Sequence, residues 1–193
     1  METLNIKGVN SKDNNAIKEE CEFRKLVSAE VDLYKKIRLE CLQKFPDNFG
    51  SYYEEELQTN EFKFEKAILS GTESDFMIGA FLSNSLIGIC GFTRMKRKKT
   101  NHIGEISQLY IKPEFSGKGI ATGLMKSAID EAFKIKGLEK IILAAVESNS
   151  AALKLYQKFN FVEYGRLENY FKVKGKYQTQ VFLSFTKSVN EPH

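Results

Sequence analysis

The sequence predicts an α/β fold: one mixed, mostly antiparallel sheet flanked by helices on both faces. Three observations carry that expectation. Two β-rich runs separated by Ser83-Asn84-Ser85 read as a hairpin and lead on to a third strand. A glycine-rich turn, KPEFSGKGIATGLMK at 112–126, then joins that third strand to a helix-like run. Further on, IILAAV at 141–146 is a short, continuous apolar stretch of the kind found where both faces of a strand are covered.

The elements follow in order. Glu22 to Val27 is a short strand. Ser28 offers an N-cap before AEVDLYKKIRLECLQKF, where Tyr34, Ile37, Cys41 and Phe45 recur at helical spacing until Pro46 ends the run. A second helical region spans Ser51 to Leu69, with Glu54, Glu55 and Glu56 near its start, where carboxylates suit the helix dipole. The hairpin strands are Asp75 to Ser83 and Leu86 to Arg94. The third strand, Ile103 to Lys112, places Ile103, Glu105, Ser107, Leu109 and Ile111 on one face by period-two alternation. After the glycine turn, Ile120, Leu124, Ala128 and Ala132 repeat every four residues, and Gly137 is a stop signal. Asn149 caps SAALKLYQKF, and the strands Phe161-VEYG and Gln180-VFLSF complete the sheet.

At 193 residues the chain fits one domain. We expect residues 1–21 to form a flexible N-terminal extension, 22–187 the folded domain and 188–193 a C-terminal tail. No apolar run is long enough to span a bilayer, and the amino terminus lacks the apolar core of a signal peptide. Cys21, Cys41 and Cys90 are odd in number and far apart, which argues against a disulfide framework and against a clustered metal site. A cytoplasmic protein without a metal is the expectation. The net charge of +4 is mild, and its one concentration is Met95-Lys96-Arg97-Lys98-Lys99. No aromatic residues interleave with those bases, so the run reads as a solvated turn rather than a nucleic-acid platform.

A strand, a tight glycine turn and a helix make an anion site, because the first amides of the helix are unpaired and the dipole favours negative charge. A Walker A loop would need Ser or Thr after Gly117-Lys118 and an earlier glycine where Lys112 stands; neither is present. The dinucleotide fingerprint would need a small third residue where Thr122 stands, and an acid closing the next strand, which Glu139 instead precedes. A third grammar, R/Q-x-x-G-x-G/A, is met at Gly119 and Ala121 of Ser116-Gly117-Lys118-Gly119-Ile120-Ala121, with Ser116 in the first place. Downstream, VESNSAALKLYQKFNF is similar to V-x-x-N-x-x-A-x-x-L-Y-x-x-x-G-F at Val146, Asn149, Ala152, Leu155, Tyr156 and Phe161. Asn160 stands in for the glycine. Asn is the next best residue for a left-handed helix-ending position, so that departure is mild.

Together these two segments resemble the coenzyme A loop and the later motif of the GNAT acetyltransferase superfamily, with the resemblance running from about 22 to 186. It implies acetyl-coenzyme A as cosubstrate, lying between two strands that splay apart. It further implies backbone contacts from Leu109, Tyr110 and Ile111, and a wrap of the pyrophosphate by Gly117, Lys118, Gly119, Ile120, Ala121 and Thr122. Asn149 would bond the pantetheine arm or serve only as a helix cap. Tyr156, seven residues later and about 10 Å along the same helix face, would protonate the departing thiolate, or sit as a core tyrosine.

An alkylamine is protonated at neutral pH, so the reaction needs a base. Glu105 is the candidate, on the strand face of Leu109, with a structural or substrate-anchoring role as its alternative. Some relatives carry the base five residues before the Asn, where this chain has Ala144. In the family the first helices and last strand pair shape the acceptor pocket, which implicates Phe49, Tyr52, Tyr53, Glu54, Tyr170 and Tyr177. The expected function is N-acetyl transfer to a small-molecule or protein amine by direct attack, with a homodimer as a family-level expectation. Its rivals are a non-catalytic acyl-coenzyme A sensor and a nucleic-acid module using the 95–99 loop.

Overall fold

A computed structural model describes residues 20–187. The tail at 188–193, and all but the last two residues of the expected extension at 1–21, lie outside the described residues. Seven strands form one sheet: β1 (Glu22–Lys25), β2 (Asp75–Leu82), β3 (Ser85–Arg94), β4 (Ile103–Ile111), β5 (Lys140–Val146), β6 (Val162–Val173) and β7 (Lys176–Thr186). Their spatial order is β1-β2-β3-β4-β5-β7-β6, and every neighbouring pair is antiparallel except β4 and β5. The helices are α1 (Val31–Lys44), α2 (Tyr53–Leu57), α3 (Glu65–Ser70), α4 (Ile120–Phe133) and α5 (Ser150–Lys158). This is the mixed sheet with helices on both faces that the sequence predicts.

Both long hairpins turn on two residues with positive φ, Ser83-Asn84 (46° and 67°) and Lys174-Gly175 (47° and 78°). That backbone hand matches the right-handed twist of the strands it joins. One face of the sheet is covered by α4 and α5, whose Ile120, Leu124, Met125, Ala128 and Tyr156 pack with Ile78, Cys90, Ile106, Ile141 and Val181. The other face carries α1 and α3, with Tyr34, Ile37, Cys41, Leu42 and Ile68 against Met77, Ile89 and Tyr110. Fully burying each such Leu, Ile or Met side chain is worth about 1.5–3 kcal/mol, so these two layers hold the sheet rigid behind the site.

Several elements differ from the sequence reading. Ser51 to Leu69 is two short helices rather than one; the Gln58 N–H bonds back to Glu55 O and Glu56 O, and the chain then crosses 59–64 to reach α3. Ser28 opens a 3-10 turn instead of capping α1, and Glu30 accepts the Val27 N–H at 2.9 Å. β6 and β7 extend well beyond the expected segments: the added part of β6 is mostly exposed, and a bulge between Leu167 and Phe171, with Asn169 at φ +56°, breaks its alternation.

The most consequential difference lies in β4. The β3–β4 register shifts between Ile89 and Gly91, opposite a bulge in which Gln108 has φ +56°. Ser107 and Gln108 therefore both point to the α1 side, where Gln108 Oε1 accepts the Tyr34 hydroxyl at 3.0 Å. Leu109 and Ile111 turn to the α4 side and pack on its core. Glu105 and Leu109 thus lie on opposite faces, contrary to strict alternation.

Candidate active site

β4 and β5 pair only between Ile103–Glu105 and Lys140–Ile142, then part. The bulge at Gln108 bends β4 away, and the gap opens into two adjoining clefts. Both are lined by Asn48, Phe49, Leu109, Asn149 and Ala152, so they meet there.

The first cleft, 530 Å³, runs along Leu109-Tyr110-Ile111, the turn at Phe115–Gly119, the start of α4 and one side of α5. Gly117 and Gly119 have φ of +75° and +76°, and Gly119 is the N-cap of α4. The first backbone bond of the helix runs from Gly123 N–H to Gly119 O at 3.1 Å. The amides of Ile120, Ala121 and Thr122 consequently have no intrahelical acceptor and face the cleft, which suits a pyrophosphate. Lys154 and Lys158, one turn apart on α5, line the same cleft, and among the described residues no carboxylate does. The residues present therefore fit a polyanionic ligand such as coenzyme A.

Two expected members of that cleft contribute differently. Lys118 is not among its lining residues; its Nζ lies 5.4 Å from the Phe115 ring centroid. Tyr110 lines it through the strand, while its ring lies in the α1 core and its hydroxyl donates to Glu40 Oε1 at 3.0 Å. The third glycine of the turn region is explained by packing. A Cβ on Gly123 would stand 2.3 Å from the Phe23 ring, so α4 approaches β1 only because Gly123 lacks one.

The second cleft, 410 Å³, is lined by Glu105, Ser107 and Gln108 of β4, Ala144 to Val146 of β5, Tyr156, Gln180 of β7, and Phe49, Tyr170 and Phe171. Tyr156 lines this cleft from α5 and does not line the first. Its side chain is 7 % exposed, and burial, with the Cys90 thiol nearby, holds the phenol well above the ordinary tyrosine range. It is therefore protonated at neutral pH. Asn149 Oδ1 accepts the Ala152 N–H at 3.2 Å, so it does cap α5. Its side-chain amide nitrogen remains as a donor at the meeting point of the clefts.

Glu105 Oε2 is 3.1 Å from Lys63 Nζ, which also donates to Ser107 Oγ at 3.0 Å. Arg38, 3 % exposed, lies behind with Glu56: its Nε and Nη2 donate to the two carboxylate oxygens at 3.0 and 3.1 Å, and Nη2 also to Ser51 Oγ.

Of the expected acceptor-side residues, Phe49 and Tyr170 line this cleft, whereas Tyr52, Tyr53, Glu54 and Tyr177 line neither. Tyr52 is exposed and donates to Lys172 O, Tyr53 packs on the α1 core, and Tyr177 lies out on the β6–β7 hairpin. Arg38, Ser51, Lys63 and Gln180 take their place. Arg38 had a visible signal, since a charge sits four residues after Tyr34 on the buried stripe of α1. Gln180 had none, because in KYQTQVFLSF three polar residues run straight into three apolar ones, a pattern that does not say which face meets a cleft.

Residues 37–161 match the family model described as Acetyltransferase (GNAT) family. A spermidine N(1)-acetyltransferase of Vibrio cholerae is 32 % identical over 135 residues, covering 68 % of this chain and 76 % of that protein. A GNAT acetyltransferase structure from Streptococcus pneumoniae superposes with a TM-score of 0.77 at 23 % identity, over 87 % of this chain and 100 % of the other. A Salmonella typhimurium structure with its cofactor acetyl-CoA gives 0.71 at 16 % identity, over 90 % and 98 %. With its parted β4 and β5, its left-handed glycine turn and its match across more than half its length, the chain belongs to the GNAT acetyltransferase family and is an acyltransferase.

Proposed function

We propose that this enzyme transfers an acetyl group from acetyl-coenzyme A to a primary amine by direct attack within a ternary complex. The observation that carries the reading is the continuity of the two clefts: the unpaired α4 amides line one, Glu105 and Tyr156 line the other, and the two meet at Leu109, Asn149 and Ala152. In this reading the α4 amides and the backbone of Gly117 and Gly119 hold the pyrophosphate, with Lys154 and Lys158 adding positive charge. Asn149 donates to the pantetheine arm. Acetyl-coenzyme A, when bound, supplies the activated thioester.

The proton steps then balance. Glu105 takes the proton of the incoming ammonium before attack, directly or through water, and passes it to solvent; the second nitrogen proton leaves by the same route as the tetrahedral intermediate collapses. The β4 amide beside the Gln108 bulge bonds the developing oxyanion. Tyr156 Oη gives its proton to the sulfur as the C–S bond breaks, and solvent returns it.

Calorimetric titration with acetyl-coenzyme A, with NADH as control, tests the cofactor cleft. Saturable binding of the first alone, followed by amine-dependent release of free thiol, is the expected result. No binding at millimolar ligand would remove the reading, and binding without thiol release against any amine would favour a sensor.

A further inference from the structure

Tyr34 is fully buried in the α1 layer, and its hydroxyl touches two polar groups. It accepts the Phe64 N–H at 3.3 Å and lies 3.0 Å from Gln108 Oε1. The hydroxyl hydrogen needs an acceptor of its own, and water does not reach a side chain of 0 % exposure. Gln108 Oε1 is that acceptor. With the carboxamide reversed, two N–H groups would point at one oxygen and the buried O–H would be stranded. The Gln108 oxygen is therefore fixed toward Tyr34, and Nε2 is turned away from it.

Nε2 has no partner among the described residues and is not one of their buried unpaired atoms, so it is open. Gln108 is half-buried and lines the acceptor cleft. Its φ of +56° is an angle that a non-glycine residue keeps only where its surroundings hold it, and the tie to Tyr34 does so.

The same wall holds a further spare donor. Lys63 Nζ spends two of its three N–H bonds on Glu105 Oε2 and Ser107 Oγ. Its third remains for a ligand, as do those of Gln108 Nε2. Glu105 Oε1 accepts no hydrogen bond from the described residues. A bare alkylammonium only donates, so it would use Glu105 and leave these N–H groups facing carbon. Desolvating donors without pairing them is costly. An amine with a carbonyl oxygen beside it satisfies both sets, and the 3.1 Å between Lys63 Nζ and the carboxylate keeps the two needs close together.

Resting on the acetyl-transfer reading above, we propose that Gln108, oriented by Tyr34, is an acceptor-binding residue: its side-chain N–H donates to a carbonyl oxygen beside the attacking amine, so the cleft selects α-amino carbonyl compounds over plain alkylamines.

The test uses the full chain, with glycinamide and propylamine as acceptors. Its readout is kcat/KM for glycinamide divided by kcat/KM for propylamine. At neutral pH both are mostly ammonium, so an added charge attracts both alike. Gln108→Glu keeps one oxygen for Tyr34 and puts another where Nε2 stood. It should lower the ratio about three- to tenfold, the size of one neutral hydrogen bond. Tyr34→Phe adds no charge but frees the carboxamide to turn, so it should lower the ratio in the same direction by less. Combined with Gln108→Glu it should lower the ratio no further. The acetyl-coenzyme A Kd should stay within about threefold throughout.

An unchanged ratio in Gln108→Glu overturns the inference. So does an equal loss for both amines, which would give Nε2 to the reacting atoms, or a weakened acetyl-coenzyme A Kd with the ratio intact, which would give it to the cofactor. A full further loss from Tyr34→Phe in the double variant would remove Tyr34 as the positioning residue. Thermal unfolding checks each variant; if Gln108→Glu does not fold, an unchanged ratio in Tyr34→Phe overturns the inference instead. If acetyl-coenzyme A binds but no amine is acetylated, the acetyl-transfer reading itself fails. The Gln108 side-chain amide resonance then decides separately: a larger shift with glycinamide than with propylamine supports the inference, and an equal or smaller one overturns it.

Discussion

Lys63 Nζ and Glu105 Oε2 stand 3.1 Å apart across the acceptor cleft, and Ser107 Oγ fixes the ammonium at 3.0 Å. Both side chains are near two-fifths exposed, so water screens the pair and its worth to folding is about 0–1 kcal/mol. Its consequence is functional, because an incoming ammonium must compete with Lys63 for the carboxylate. Glu105→Gln should lower kcat about 10²–10³-fold if Glu105 carries the proton, while the acetyl-coenzyme A Kd and the melting temperature hold. Lys63→Met should leave stability unchanged and lower the KM of cationic acceptors. Thiol release against amine concentration reads both, and an active Glu105→Gln enzyme would move the base to water.

Tyr156→Phe keeps the ring that packs on Phe161, at 6.2 Å between centroids, and removes only the hydroxyl. Desolvation and the Cys90 thiol, with no hydrogen bond, shape that hydroxyl's surroundings, so stability should shift little. A general acid contributes about 10²–10⁴ in rate, and kcat should fall within that range with cofactor binding intact. Full activity in Tyr156→Phe would reduce Tyr156 to a core tyrosine.

Arg38 and Glu56 form the opposite kind of pair from Lys63 and Glu105. Their side chains are 4 % and 10 % exposed, and the guanidinium meets both carboxylate oxygens. Glu56→Gln strands a buried cation, which costs about 3–5 kcal/mol, whereas replacing both by Met and Leu should cost much less. Urea unfolding distinguishes the two. Arg38 also holds Ser51, and both line the acceptor cleft, so the single variant should raise acceptor KM before it unfolds.

Buried neutral acids set the alkaline limit. Burial raises the phenols of Tyr34 and Tyr156 above the ordinary value of 10.0, and pushes the Cys41 and Cys90 thiols from 9.0 up to about 11 and about 12. A folded-state pKa above the unfolded one means that this stability is complete below the unfolded value. It drains as pH climbs toward the folded value. Urea midpoints should therefore be flat to near pH 9, then fall, each group adding up to about 1.4 kcal/mol per pH unit. A midpoint unchanged at pH 11 would mean that these groups titrate as if exposed.

How much of this was legible in the sequence depended on whether a signal was local. The glycine turn, the Asn149 cap and the αL position at Asn160 (φ +60°) are local backbone chemistry, and each lies where the residues placed it. Strand alternation is local too, yet it misassigned Glu105 relative to Leu109, because the bulge at Gln108 is set by pairing with β3. The acceptor wall was least legible. It is assembled by tertiary packing from α1, the 46–51 loop, β5, β6 and β7, and the family resemblance names the elements that shape such a wall without saying which of their residues face it, so Tyr52, Tyr53, Glu54 and Tyr177 line neither cleft.

The glycines of 112–126 offer a contrast that separates cofactor chemistry from packing. Gly117 sits at φ +75° with open space where a Cβ would be, so only the backbone demands it. Gly117→Ala should cost about 1–2 kcal/mol if the left-handed angle is kept, or else the loop relaxes and misaligns its amides. Either way the acetyl-coenzyme A Kd should weaken. Gly123 is the reverse case: it is helical, its amide bonds to Gly119, and a Cβ would meet the Phe23 ring at 2.3 Å. Gly123→Ala gains about 1 kcal/mol of helix propensity but must displace that ring, an overpacking cost of about 1–3 kcal/mol. It should lower the melting temperature and leave the acetyl-coenzyme A Kd alone. Calorimetry and thermal unfolding on the same two variants should therefore move in opposite pairs. A Gly123→Ala protein that loses the cofactor while keeping its stability would place the ligand deeper along α4 than the three unpaired amides suggest.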